Sequence, residues 1–144
     1  MSRRVELRAA VMATLRKLDG ATRPTLADVY DYAPPQYTGP LLVALAHESE
    51  ERAQASYRET EVSAKYALTI YSKRGIAAES VAAVDAAVED VDALIAADPS
   101  LGVTDFSPRA RIASVDVDRG TELDGSAFAL VTLVVTYRTS ATAP

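Results

Sequence analysis

Apolar residues recur along this chain with two different periods, and the changes of period outline the elements. Leu7, Val11, Leu15 and Leu18 are spaced four, four and three, which predicts an amphipathic helix over Val5–Leu18. Ser2 is placed to cap it and Gly20 lies just past its last apolar position. Val62, Ala64, Tyr66, Leu68 and Ile70 alternate with Glu61, Ser63, Lys65, Thr69 and Tyr71. A period of two predicts a strand with one buried face. Val81, Val84, Val88, Val91 and Ile95 return to helical spacing and predict a second helix over Ala77–Asp98. Asp98-Pro99 closes it, because the residue before proline disfavours the helical region.

The remaining stretches read less sharply. Thr22–Pro40 is loop-rich, with a short strand predicted near Asp28–Tyr32. Leu41–Glu48 is apolar on both alternations, as in a strand buried on two faces. Ser49–Arg58 is a charged connection, predicting a long hairpin whose tip projects from the body. Arg109–Arg119 sets Arg111, Ala113, Val115 and Val117 against Ala110, Ile112, Ser114 and Asp116, a half-exposed strand. Gly120–Gly125 is a second polar hairpin connection. Ala127–Thr139 is apolar on both faces and belongs inside the sheet, and residues 140–144 form a frayed tail. This order predicts an α+β fold, an α/β sandwich. A mostly antiparallel sheet of four or five strands carries two helices on one face, in a single domain over residues 1–144.

Composition narrows the classes. At 144 residues with 49% hydrophobic and 24% charged positions, the chain can bury a sizeable core. Without cysteine there is neither a disulfide framework nor a thiolate metal site. No signal peptide or membrane span is visible, which makes a cytoplasmic origin the default expectation. The net charge of −5 is unevenly placed: residues 1–24 hold six basic and two acidic residues, and 77–98 hold acids without one base. Arg3 and Arg4 stand at the helix end that favours anions, and Glu89, Asp90 and Asp92 toward the end that favours cations. Arg4/Arg8 and Asp85/Glu89 are like-charge pairs four apart, each unfavourable by ~0.2–0.5 kcal/mol. Such costs persist where something offsets them, either a partner surface or the two helices satisfying each other within one subunit. The acidic helix also carries Ala82, Ala86 and Ala93 away from its apolar stripe.

The chemistry of bond-making is missing. There is no phosphate-binding glycine loop and no nucleophile elbow, and a triad would have to recruit the single histidine, His47. Carboxylate pairs such as Glu50/Glu51, Asp85/Glu89 and Asp116/Asp118 sit in polar surroundings that give no reason for their pKa values to split. Asp116, Asp118, Glu122 and Asp124 match no calcium loop. No catalytic residue, metal ligand or cofactor is assigned. The expectation is a non-enzymatic protein that meets other protein.

Two stretches give that expectation a form. The opening VELRAAVMATLRKLDGAT, with Glu6–Val11 as its core, and the closing LVTLVVTYRT resemble the tail terminator family of long-tailed phages, the minor tail protein U type. The charged hairpin and the second helix fall in that family's order. The resemblance implies a homohexameric ring on the finished tail tube, which stops subunit addition and offers the head-joining surface. It implies a virion tail location, assembly in the host cytoplasm, and as partners further copies of itself, the tail tube protein and a head-completion protein. DNA would pass through without sequence-specific contact, and no membrane is involved. The predicted contact residues are Arg3, Arg4 and Arg8 on one side and Asp85, Glu89 and Asp92 on the other. Glu50, Glu51 and Arg52 of the hairpin are assigned to the tube or head side. The alternatives are a head-closure or neck protein of the same particle, and a small-molecule or peptide-binding α/β module.

Overall fold

A computed structural model describes residues 3–18, 28–32, 41–73, 77–118 and 125–140. The elements are α1 (Arg3–Leu15) with a 3-10 turn (Arg16–Leu18), β1 (Asp28–Tyr30), β2 (Leu42–Gln54), β3 (Glu59–Lys73), α2 (Ala77–Ala97), β4 (Arg109–Asp118) and β5 (Ser126–Ser140). The strands form a five-stranded sheet in the order β1-β2-β3-β5-β4. Among the described strands only the β1/β2 pair is parallel. The fold is α+β, as the periodicity predicted. The cap at Ser2, the stop at Gly20, most of 22–40 and 120–125, and the tail beyond Ser140 lie outside the described residues.

Both helices pack on one face of the sheet. Leu7, Val11, Leu15 and Leu18 from the first join Val62, Tyr66, Leu68, Ile70, Val131, Leu133 and Val135 in a single core that also takes in Val84, Val91 and Ile95. In α2 the fully buried line is Ser80, Val84, Ala87, Val91 and Ile95, with Val81 and Val88 half-buried at its margin. The predicted valine stripe is therefore turned slightly. Small residues take its centre, which allows the helix to lie close on β5 where Ala127 and Ala129 face it, both fully buried. Ser80 keeps its hydroxyl satisfied there by donating to the Gly125 carbonyl. As its composition implied, β5 is interior, paired to β3 and β4 along its length.

Two bulges decide which residues share a face. Cα partners show Leu45 opposite Leu68 but His47 opposite Ala67 and Glu48 opposite Tyr66, so Ala46 is the extra residue. Before it, the odd residues Val43 and Leu45 face the helices; after it, the even residues Glu48, Glu50 and Arg52 do. A second shift between Ile112 and Ser114 makes Ala113 the extra residue of β4. Ala110, Ile112, Val115 and Val117 therefore share the helix face, which corrects the unbroken alternation expected there.

The 49–58 connection is also corrected. β2 continues to Gln54, opposite Thr60, and only Ala55–Arg58 joins the strands, closed by Ala55 N–H donating to the Glu59 carbonyl at 2.9 Å. Residues 49–54 carry no large apolar side chain on either face. No apolar alternation marks them, and backbone pairing with β3 makes them a strand.

Candidate interaction surfaces

α1 and the distal half of β2 meet in a row of ion pairs. Successive turns of a helix rise ~5.4 Å, and residues two apart in a strand are ~6.6–7 Å apart. Arg4 and Arg8 on one element thus match Glu50 and Glu48 on the other, once the bulge has turned those glutamates toward the helix. Arg8 grips Glu48 with both ends of its guanidinium, Nε lying 2.9 Å from Oε2. Arg4 donates to Glu50 Oε1, which Arg52 Nη2 also approaches at 3.3 Å. Arg3 donates to the Arg138 carbonyl at 3.3 Å and lies 5.2 Å over the Phe106 ring. Phe106 in turn meets Tyr137 edge-on at 5.0 Å. Lys65 Nζ stands 3.1 Å from Glu51, a diagonal cross-strand pair.

Six of the nine predicted contact residues are therefore engaged within their own chain: Arg3, Arg4, Arg8, Glu50, Glu51 and Arg52. The misplaced positive charge of α1 is offset by β2, not by α2. Asp85, Glu89 and Asp92 are exposed on the outer side of α2. No ion pair joins them to another described residue. Sequence reasoning missed Glu48, Tyr66 and Tyr137 as parts of this seam. The period-two run Glu48, Glu50, Arg52 beside Arg4 and Arg8 at i, i+4 was the available signal.

Beneath the ion pairs lies a cavity of about 300 Å³, lined by Arg4, Leu7, Arg8, Glu48, Ser49, Glu50, Ala64, Tyr66 and Tyr137. Burial pushes the Tyr66 phenol well above its ordinary value. The Arg4 hydrogen bond holds the Glu50 carboxyl below the usual carboxylate range. A depressed pKa contributes stability above the unfolded value of 4.5, and that contribution is lost as pH falls through the folded value. Glu50→Gln is expected to flatten the acid limb of a pH–stability curve below about pH 4.5. Part of the limb should remain, because the Ser100 hydroxyl, 2.6 Å away, likewise lowers Asp98. An unchanged limb in thermal melts from pH 3 to 7 would separate Glu50 from the acid response.

His47 is exposed on the opposite face of the sheet. It lines an open depression with Arg8, Asp31, Leu45, Ala46 and Glu48. Among the described residues no group of three or more His, Asp or Glu side chains is placed to hold a metal ion, and no helix is long and apolar enough to cross a membrane.

The face of the sheet away from the helices has its own pattern. Cross-strand pairing puts Tyr71, Phe128 and Asp118 in one row, Thr69, Leu130 and Asp116 in the next, and Lys65, Val134 and Arg111 further along. Thr136 and Arg109 follow. Phe128 is 41% exposed and Leu130 39%.

A solved structure that this chain resembles in fold spans nearly its whole length. A chain in the virion of a native gene transfer agent (GTA) particle superposes with a TM-score of 0.54, covering 96% of this chain and 99% of that one at 18% identity. The shared property is the fold. No protein-family model and no curated protein matches the sequence.

Proposed function

We propose that this chain is a virion structural protein that caps a phage-type tail tube as a ring, ends tube polymerisation and presents the head-joining surface. The observation that carries this reading is the end-to-end likeness in fold to a chain of a GTA virion. The tail-terminator resemblance of Glu6–Val11 and of the last strand supports the finer role. Two unlike surfaces, an acidic helix and a helix-free sheet, suit head-to-tail closure, in which each subunit offers two different patches. The chain acts without catalysis. The charged groups around its α1 cavity are committed to one another, and DNA passes the lumen without sequence-specific contact.

Sedimentation of the full chain at micromolar concentration, with and without the tail tube protein, tests this. The expected particle has six times the 15.3 kDa subunit mass, and tubes grown in its presence should stop short. Monomer in both conditions with unchanged tube lengths would refute the proposal. Binding to head-completion protein with no effect on tubes would move the role to head closure.

A further inference from the structure

The sheet face that carries no helix among the described residues has a chemically defined end. Arg109 and Arg111 project from the edge strand β4 onto it, both exposed, beside Thr136 and Val134 of β5. Neither arginine is joined to a carboxylate among the described residues. Lys65 and Arg138 of the same face have Glu51, Glu59 and Glu61 as partners. The opposite end of the face carries Asp116 and Asp118 beside Leu130 and Phe128.

On the other side of the molecule, α2 turns Asp85, Glu89 and Asp92 outward. Spaced four and three, they form one stripe, with Ala82, Ala93 and Ala96 exposed next to it. Asp85 and Glu89 are ~6 Å apart along the helix axis, and Arg109 and Arg111 are ~7 Å apart along their strand. The two spacings match. The alanines leave nothing to hold the helix away from a flat sheet.

We infer that the helix-free sheet face, at its Arg109/Arg111 end, is the docking surface for the outer side of α2 of a second copy of this chain. This deepens the ring reading and rests on it for the number of copies. Charge sets the register, because Asp116 repels an acidic helix from the far end. The same aspartate disfavours a nucleic acid occupant of this face. Because α2 covers one face of the sheet and the docking surface is the other, the two patches point away from each other. Each subunit then gives α2 to one neighbour and its sheet to the next, the heterologous kind of contact from which rings are built when the rotation between neighbours closes.

Two charge-reversed full-length chains test this: Arg109→Glu with Arg111→Glu, and Asp85→Lys with Glu89→Lys and Asp92→Lys. All five positions are exposed, and circular dichroism with thermal melting confirms that each variant folds. Alone, each sets like charge against like and should need at least ~10-fold more protein for half-assembly than the wild type. Mixed in equal amounts, each variant's helix meets the other's sheet with complementary charge, and assembly should return with the two chains in equal number. Wild-type assembly should weaken between low and high salt. If either folded variant assembles like the wild type, or if the mixture stays dissociated, this docking surface is wrong and the ring reading stands. If the wild type itself never associates, with tube protein or without, both fall together.

Discussion

Replacing Tyr66 with alanine is expected to lower the unfolding free energy by ~3–5 kcal/mol, the usual cost of removing a buried aromatic side chain. Tyr66 is 2% exposed. It belongs to the core that α1 and α2 share with the sheet, and it also lines the cavity under the Arg8–Glu48 pair. Its loss would enlarge a space that already measures about 300 Å³, so little collapse is available to recover the contacts. For a chain of this size each kcal/mol shifts the melting temperature by ~2–4 °C, which predicts a fall near ~10 °C. Tyr66→Phe keeps the ring and should cost under ~1.5 kcal/mol. The phenol adds a pH signature. A group whose folded pKa is raised stabilises below the unfolded value and loses that contribution as pH rises above it. Burial raises both Tyr66 and Tyr137, so the wild type should lose stability above about pH 10, the unperturbed tyrosine value. Tyr66→Phe should lose less. Urea titrations at pH 7 and pH 11 measure both effects; an alanine variant within ~1 kcal/mol of the wild type would mean that α1 does not seal this site.

Val91→Asp should be the second severe change, costing more than ~4 kcal/mol because an unpaired carboxylate enters a fully apolar site. Val91 is 0% exposed on the side of α2 that packs against β3 and β5. A typical domain is stable by only ~5–15 kcal/mol, so this variant should populate a partly unfolded state at room temperature. Its neighbour gives the control. Asp92 lies on the exposed side, and Asp92→Ala should stay within ~0.5 kcal/mol of the wild type while still weakening association through the acidic stripe. Two adjacent residues then separate folding from assembly. Guanidinium denaturation followed by circular dichroism reads the first, and sedimentation reads the second. Equal loss of stability in both variants would place α2 differently on the sheet.

The same pair shows why part of this protein could be read from its residues. Val84, Val91 and Ile95 face the sheet because the helix period puts them together, and an acid at position 92 cannot join them. β3 is equally plain: Val62, Ala64, Tyr66, Leu68 and Ile70 are all buried, as strict alternation requires. Residues 49–54 were hidden because a strand that is polar on both faces carries no hydrophobic signature. The ion-pair seam at α1 was half legible. That Arg4 and Arg8 needed an offset followed from their spacing, but their partner did not. The acids of α2 looked the obvious candidates, being the densest negative charge in the chain.

By itself, then, the sequence determined the two amphipathic helices, the interior place of β5 and the α+β class. These follow from side-chain periodicity and residue chemistry, which are local. Tertiary structure alone decided the phase of β2. One extra residue at Ala46 reverses the alternation, turning Glu48 and Glu50 to the arginines of α1 and His47 to the opposite face. The shift at Ala113 does the same for Val115 and Val117. Alternation along a strand is read modulo two, so a single unpaired residue inverts every assignment beyond it. Only the hydrogen-bond register with the neighbouring strand reveals where that residue lies.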